Sequence, residues 1–160
     1  MNNNFLKQNS NIKIYFTLFF LLLILRAYHS FFNLSVGEHD WTFLIVGRSL
    51  YNGNLPFIET WNMTGPVAFI FYAIPFYFEN YISVLKLSGI ISIWIACIAT
   101  YEISIKLFGK SAGIFASIGL AIITSSEESF LTSEVEIFIL PFLSLYIYFI
   151  FNDFLRSKIM

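Results

Sequence analysis

The chain has little charge for its length. Aspartate, glutamate, lysine and arginine make up 12% of its 160 residues, whereas 58% are hydrophobic and 20% are aromatic. A soluble domain carries roughly 25% charged residues, because its surface must be wetted. The charged residues also cluster and leave long apolar stretches between them, which is typical of membrane spans. The composition therefore excludes an ordinary water-soluble domain.

The sequence also lacks the features of several functional classes. Its net charge of −1 offers no basic surface for nucleic acid. Cys97 is the only cysteine, so an intrachain disulfide is impossible. No small-x-small cleavage site follows the first apolar stretch. We therefore interpret this stretch as a retained membrane anchor rather than a signal peptide. We expect neither a metal site nor a cofactor.

Four stretches are predicted to cross the membrane, namely residues 12–32, 82–107, 111–124 and 131–152. Pro141 predicts a kink in the last of them. A fifth apolar stretch, 67–78, would cover only about 18 Å as a helix, which is short of a hydrocarbon core roughly 30 Å thick. We therefore expect 67–78 to lie along the membrane surface.

The distribution of basic residues favours this topology. With four crossings and a cytoplasmic N-terminus, six of the nine basic residues face the cytoplasm: Lys7, Lys13, Lys106, Lys110, Arg156 and Lys158. This arrangement obeys the positive-inside rule. A crossing at 67–78 would move Lys106 and Lys110 outside. The predicted fold is therefore an all-α integral membrane protein with about four transmembrane helices.

Residues 33–81 then form one large outer loop, which we expect to carry two interfacial helices. The first follows Asp40 and ends before Gly53, since glycine is favoured just after a helix. The second begins at Pro66 and includes 67–78. Glu38 and Asp40 stand at the start of the first helix, where a carboxylate interacts favourably with the helix dipole. That structural role is about as common as a catalytic one.

Two arginines near the outer surface have alternative interpretations. Arg48, in the first loop helix, most often snorkels to lipid phosphate in such a position. Arg26 lies near the outer end of the first span and could snorkel likewise. If Arg26 faces the helix bundle instead, it becomes a candidate functional residue.

The order of motifs in the outer loop is more specific than the composition. The loop contains Glu38-His-Asp-Trp-Thr-Phe, Gly53-Asn-Leu-Pro-Phe and Glu59-Thr-Trp-Asn-Met-Thr-Gly-Pro66; Leu107-Phe-Gly-Lys-Ser111 and Thr132-Ser-Glu134 follow. This order resembles the multi-pass glycosyltransferases of the GT-C fold, and most closely the bacterial relatives of protein O-mannosyltransferases, the family 39 type. The resemblance covers essentially all of residues 12–152. The chain departs from the family at Thr64-Gly65-Pro66, where a Lys-Pro-Pro-like element is usual.

The resemblance implies inverting transfer of a hexose or pentose from a polyprenyl-phosphate donor to an acceptor at the outer face of the membrane. In such a reaction a loop carboxylate acts as general base. By motif position this residue is Asp40, with Glu38 as the second candidate and Glu59 as a supporting carboxylate. Arg48 would contact the donor phosphate. The implied location is a bacterial plasma membrane.

Members of the family are several times longer than this chain. We therefore expect residues 1–160 to form one transmembrane domain, the N-terminal portion of a longer GT-C module, with a partner polypeptide supplying the missing helices. The alternatives are a small non-catalytic multi-pass subunit, a truncated inactive gene product and a transporter fragment. For the last, no inverted repeat or pair of broken helices is visible.

Overall fold

The computed structural model describes residues 3–32, 38–54, 66–126 and 135–159. These ranges contain six α-helices: α1 Asn3–Ala27, α2 Glu38–Tyr51, α3 Pro66–Ala73, α4 Tyr81–Phe108, α5 Lys110–Ser126 and α6 Val135–Ile159. A π-helical turn, Tyr28–Phe32, continues α1, and a 3-10 turn, Ile74–Tyr77, continues α3. No strand occurs within these ranges. The predicted all-α class is confirmed for them.

Helix α4 is central and packs against α1, α5 and α6. Helices α1 and α4 are antiparallel, because Tyr15 contacts Glu102 whereas Leu22 and Ile90 share one buried apolar cluster. Polar side chains thus meet at one end of the pair, and apolar side chains meet along its middle.

Small residues let α5 approach α4 closely. Gly113, Ser117, Ala121 and Thr124 are buried on α5 at spacings of three or four residues. A Cβ atom at Gly113 would collide with Ile105 Cγ2 and lie 3.1 Å from the carbonyl oxygen of Tyr101. Such stripes of small residues are common where helices pack inside membranes.

The two short helices pack on each other and on the ends of α4 and α6. Gly47 of α2 lies against the backbone of Tyr72 in α3, and the ring of Phe43 stacks on that of Tyr72 at 5.1 Å. Tyr72 also meets Phe138 of α6 edge to face. Leu85 of α4 belongs to the same buried cluster. Helices α2 and α3 therefore cover the end of the bundle at which α4 and α6 begin.

Several predicted boundaries agree with the structure. Helix α2 ends just before Gly53, which has a φ of +87°, and α3 begins at Pro66. Helix α3 changes to a 3-10 turn at Ile74, because Pro75 lacks the N–H that would donate to an α-helical carbonyl.

Other boundaries differ from the predictions. Helix α1 begins at Asn3 rather than at residue 12, and α6 continues to Ile159. The residues that extend both helices are mostly polar, so hydropathy does not include them in the predicted spans. Pro141 lies inside α6, and the kink expected there stays a prediction. Residues 131–134, predicted to start the last span, lie outside the described residues.

Two helices are long and apolar enough to cross a membrane, Tyr81–Phe108 and Val135–Asp153. Lys110–Ser126 is apolar but shorter. At 1.5 Å per residue, α4 is about 42 Å long, which matches a bilayer with its headgroup regions. Length and composition alone do not show that a helix crosses a membrane, so all four predicted crossings stay predictions.

Candidate functional site

The predicted catalytic and donor-binding residues fall in and after α2. Glu38 and Asp40 lie in its first turn and Arg48 lies in its last turn. The structure describes the helical backbone at Glu38 and Asp40, whereas Glu59 lies outside the described residues. Arg48 is exposed. It stands eight residues, about 12 Å along the axis, from Asp40. The geometry of the helix therefore does not bring residues 40 and 48 into direct contact.

Helical periodicity places the two acidic positions on different faces of α2. Seven residues make almost two turns, so backbone positions 40 and 47 share a face. That face packs on α3, because Gly47 lies against Tyr72. Position 38 instead shares a face with Ile45, which is 61% exposed. Backbone positions 38 and 40 thus lie on different faces of α2, and the choice between Glu38 and Asp40 as the base stays a prediction.

Arg26 faces the helix bundle. Its side chain is 1% exposed, and its Nη1 donates a 3.0 Å hydrogen bond to the backbone carbonyl of Thr124. Thr124 lies in the last turns of α5, near carbonyls that have no partner within the helix. A cation there also meets the negative end of the helix dipole. Of the two interpretations of Arg26, the structure supports the buried one, which makes it a candidate functional residue.

Lys86 is a second buried cation, with 2% of its side chain exposed. In the sequence, Lys86 is marked only by its place near the start of the predicted span 82–107. The antiparallel register of α1 and α4, in which Asn11 meets Glu102, places position 86 level with position 26. Two cations therefore lie within the helices at the end covered by α2 and α3. A charge with apolar residues on both sides inside a span could have indicated this site.

The opposite end of the bundle carries a second polar group. Glu102 Oε1 accepts hydrogen bonds from the Tyr15 hydroxyl and from Asn11 Nδ2, the latter at 3.4 Å. The indole of Trp94 donates to the backbone carbonyl of Tyr15 at 2.8 Å, and Tyr101 donates to Asn11 Oδ1 at 3.4 Å. In the sequence, Glu102 is marked only by its place near the end of the predicted span 82–107. Glu102 joins α4 to α1 because Asn11 and Tyr15 lie opposite it, and this pairing cannot be seen in the sequence around Glu102.

The two polar groups contain different charged residues. One holds the cations Arg26 and Lys86, and the other holds the carboxylate of Glu102 among neutral donors. Within the described part of the chain, no three His, Cys, Asp or Glu side chains lie close enough together to hold a metal ion. Comparisons with protein-family models, with curated proteins and with solved structures found no match to this chain.

Proposed function

We propose that α1, α4, α5 and α6 cross a membrane, with α2 and α3 at its outer surface. Large apolar side chains that are more than half exposed lie on all four of these helices, among them Phe16, Phe20, Phe108, Phe115, Phe142 and Phe149. Water-soluble proteins rarely expose apolar surface on this scale, whereas lipid covers it without cost. Lys106 and Lys110 lie at the opposite end from α2, as the positive-inside rule requires of a cytoplasmic end.

We further propose that the chain is a polyprenyl-phosphate-dependent glycosyltransferase, or the N-terminal portion of one, in which Asp40 is the general base. The resemblance of the loop motifs supports this function. The observation that carries it is the pair of buried cations, Arg26 and Lys86, at the end of the bundle where α2 begins. A lipid phosphate cannot leave the membrane, so cations near the bilayer surface suit a lipid-linked donor.

The proposed reaction assigns each charge a role. The carboxylate of Asp40 removes the proton from the acceptor hydroxyl as that oxygen attacks the anomeric carbon. The bond from this carbon to the phosphate oxygen breaks on the opposite face, which inverts the configuration. The positive charge of Arg26 and Lys86 stabilises the leaving phosphate. Arg48, exposed on α2, would contact the donor at the surface, and Glu59 would support the base.

A transfer assay tests this function. Membranes from cells that express the chain would be supplied with labelled polyprenyl-phosphate hexoses and pentoses, and transfer to acceptors would be compared among the wild type, Asp40→Asn and Glu136→Gln. Glu136 is an exposed carboxylate in the first turn of α6 and serves as the control. Loss of transfer in Asp40→Asn alone supports the proposal. Absence of transfer from every donor would favour the non-catalytic membrane subunit.

A further inference from the structure

A groove runs along α4 at the end opposite to α2 and α3. It encloses about 480 Å³ and is lined by residues of α1, α4 and α6. Its polar wall includes Asn11, Tyr15 and Glu102, and its apolar wall includes Ile95 and Ile98. Ile95 precedes Glu102 by about two turns of α4, or roughly 10 Å. The groove therefore extends from a carboxylate to apolar side chains closer to the middle of α4.

The carboxylate in this groove has unused capacity to accept hydrogen bonds. Both donors, Tyr15 and Asn11, bind its Oε1. Among the described residues none donates to its Oε2, although a carboxylate can accept about four hydrogen bonds. No described lysine or arginine forms an ion pair with Glu102. Lys106, one turn later, instead donates to Asn152 and lies over the ring of Tyr148 at 4.6 Å.

The depth of the groove indicates what can reach it. Glu102 lies six residues, about 9 Å, before the end of α4 at Phe108. Because α4 matches the thickness of a bilayer with its headgroups, this position lies near the boundary between headgroups and hydrocarbon. Lys106 lies about 6 Å closer to the water. A carboxylate and a lysine one turn apart complement a headgroup that carries both an ammonium and a phosphate.

We propose that this groove binds a zwitterionic aminophospholipid, with the headgroup ammonium on Glu102 and an acyl chain along Ile95 and Ile98. A primary ammonium can donate to the Oε2 atom of Glu102, whereas a quaternary choline cannot. Ionisable residues inside membranes are usually paired, and the described chain supplies no cation for this one. The site depends on the proposed membrane placement but not on glycosyl transfer.

Lipid retention tests this site directly. The purified chain would be equilibrated with mixed micelles of phosphatidylethanolamine, phosphatidylcholine and phosphatidylglycerol, and the retained lipids would be counted by native mass spectrometry. We expect the wild type to retain phosphatidylethanolamine over phosphatidylcholine by about tenfold, as for a charge-assisted hydrogen bond. Glu102→Gln should abolish that preference, and the control Glu136→Gln should keep it. Equal retention by the wild type, a preference for phosphatidylglycerol, or an unchanged preference in Glu102→Gln would overturn the proposal.

A second variant covers the case in which Glu102→Gln does not fold. Ile98→Trp fills the apolar wall and leaves Glu102 in place, so it should lower retention of phosphatidylethanolamine at least several-fold. Retention at the wild-type level in a folded Ile98→Trp protein would contradict the site. Asp40→Asn should leave lipid retention unchanged. The lipid site and the transferase function can therefore fail separately.

Discussion

The guanidinium of Arg26 donates a 3.0 Å hydrogen bond to the backbone carbonyl of Thr124 and so joins the end of α1 to the last turns of α5. Both residues are buried. The bond holds a cation inside the bundle at the end covered by α2 and α3, instead of letting the side chain extend into solvent. The position of Arg26 thus depends on tertiary packing as well as on its place near the end of α1.

Arg26→Gln should destabilise the folded chain. The shorter side chain cannot reach the Thr124 carbonyl, and an unsatisfied buried acceptor costs about 1–3 kcal/mol. Arg48→Gln is the control, because an exposed substitution usually changes stability by less than about 0.5 kcal/mol. Thermal unfolding in detergent, followed by circular dichroism, measures both changes. Equal midpoints for the two variants would show that the Arg26 contact contributes little.

If Arg26 and Lys86 stabilise the donor phosphate, removing either positive charge should also weaken donor binding. We expect Arg26→Lys, which keeps the charge, to bind a polyprenyl-phosphate sugar more tightly than Arg26→Gln. Binding can be followed by retention of a labelled donor on the immobilised protein. Identical donor affinities for the two variants, in samples that are both folded, would remove Arg26 from the donor site.

Gly47→Ala should separate α2 from α3. A Cβ atom at position 47 would lie 2.5 Å from the carbonyl carbon of Tyr72 and 2.6 Å from its oxygen, so one helix must shift. Such overpacking typically costs about 1–3 kcal/mol. A Cβ at Gly119 of α5 meets nothing within 4 Å, so Gly119→Ala is the control. We expect that control to be neutral or stabilising by about 0.5–1 kcal/mol. The opposite order of unfolding midpoints would contradict this packing.

Asp40→Asn should reduce glycosyl transfer by about 10²–10⁴-fold, the usual contribution of a general base, and leave donor binding nearly unchanged. Glu38→Gln should have a milder effect, because position 38 lies on a different face of α2 from position 40. Rates and donor affinities measured on the same membranes separate the two effects. Wild-type transfer in Asp40→Asn would reject its role as the base.

Hydropathy and turn residues were sufficient to predict where most helices lie. Apolar stretches located α4 and α5, Gly53 marked the end of α2, and Pro66 marked the start of α3. Hydropathy does not predict the N-terminal extension of α1, because residues 3–11 contain only two apolar side chains, Phe5 and Leu6, among polar ones.

The inward faces of the helices were harder to predict. Arg26, Lys86 and Glu102 lie on helices whose hydropathy is high on all sides, so periodicity does not show which side meets a neighbour. Burial of Arg26 depends on Thr124, which lies 98 residues away in sequence. The hydrogen bonds to Glu102 likewise depend on Asn11 and Tyr15, which lie 91 and 87 residues away. Contacts at such separations are not encoded in any local pattern.

Cysteine labelling can test the proposed placement of the bundle in a membrane. Cys97 is the only cysteine and is buried, so Cys97→Ala provides a cysteine-free background. Single cysteines at Asn54, Asn80 and Ser126 report the end covered by α2 and α3, and one at Lys110 reports the other end. An impermeant thiol reagent added to intact cells should label the first three and label position 110 only after the membrane is permeabilised. If only one of positions 54 and 80 were labelled in intact cells, α3 would cross the membrane. Labelling of position 110 in intact cells would contradict the four-span topology.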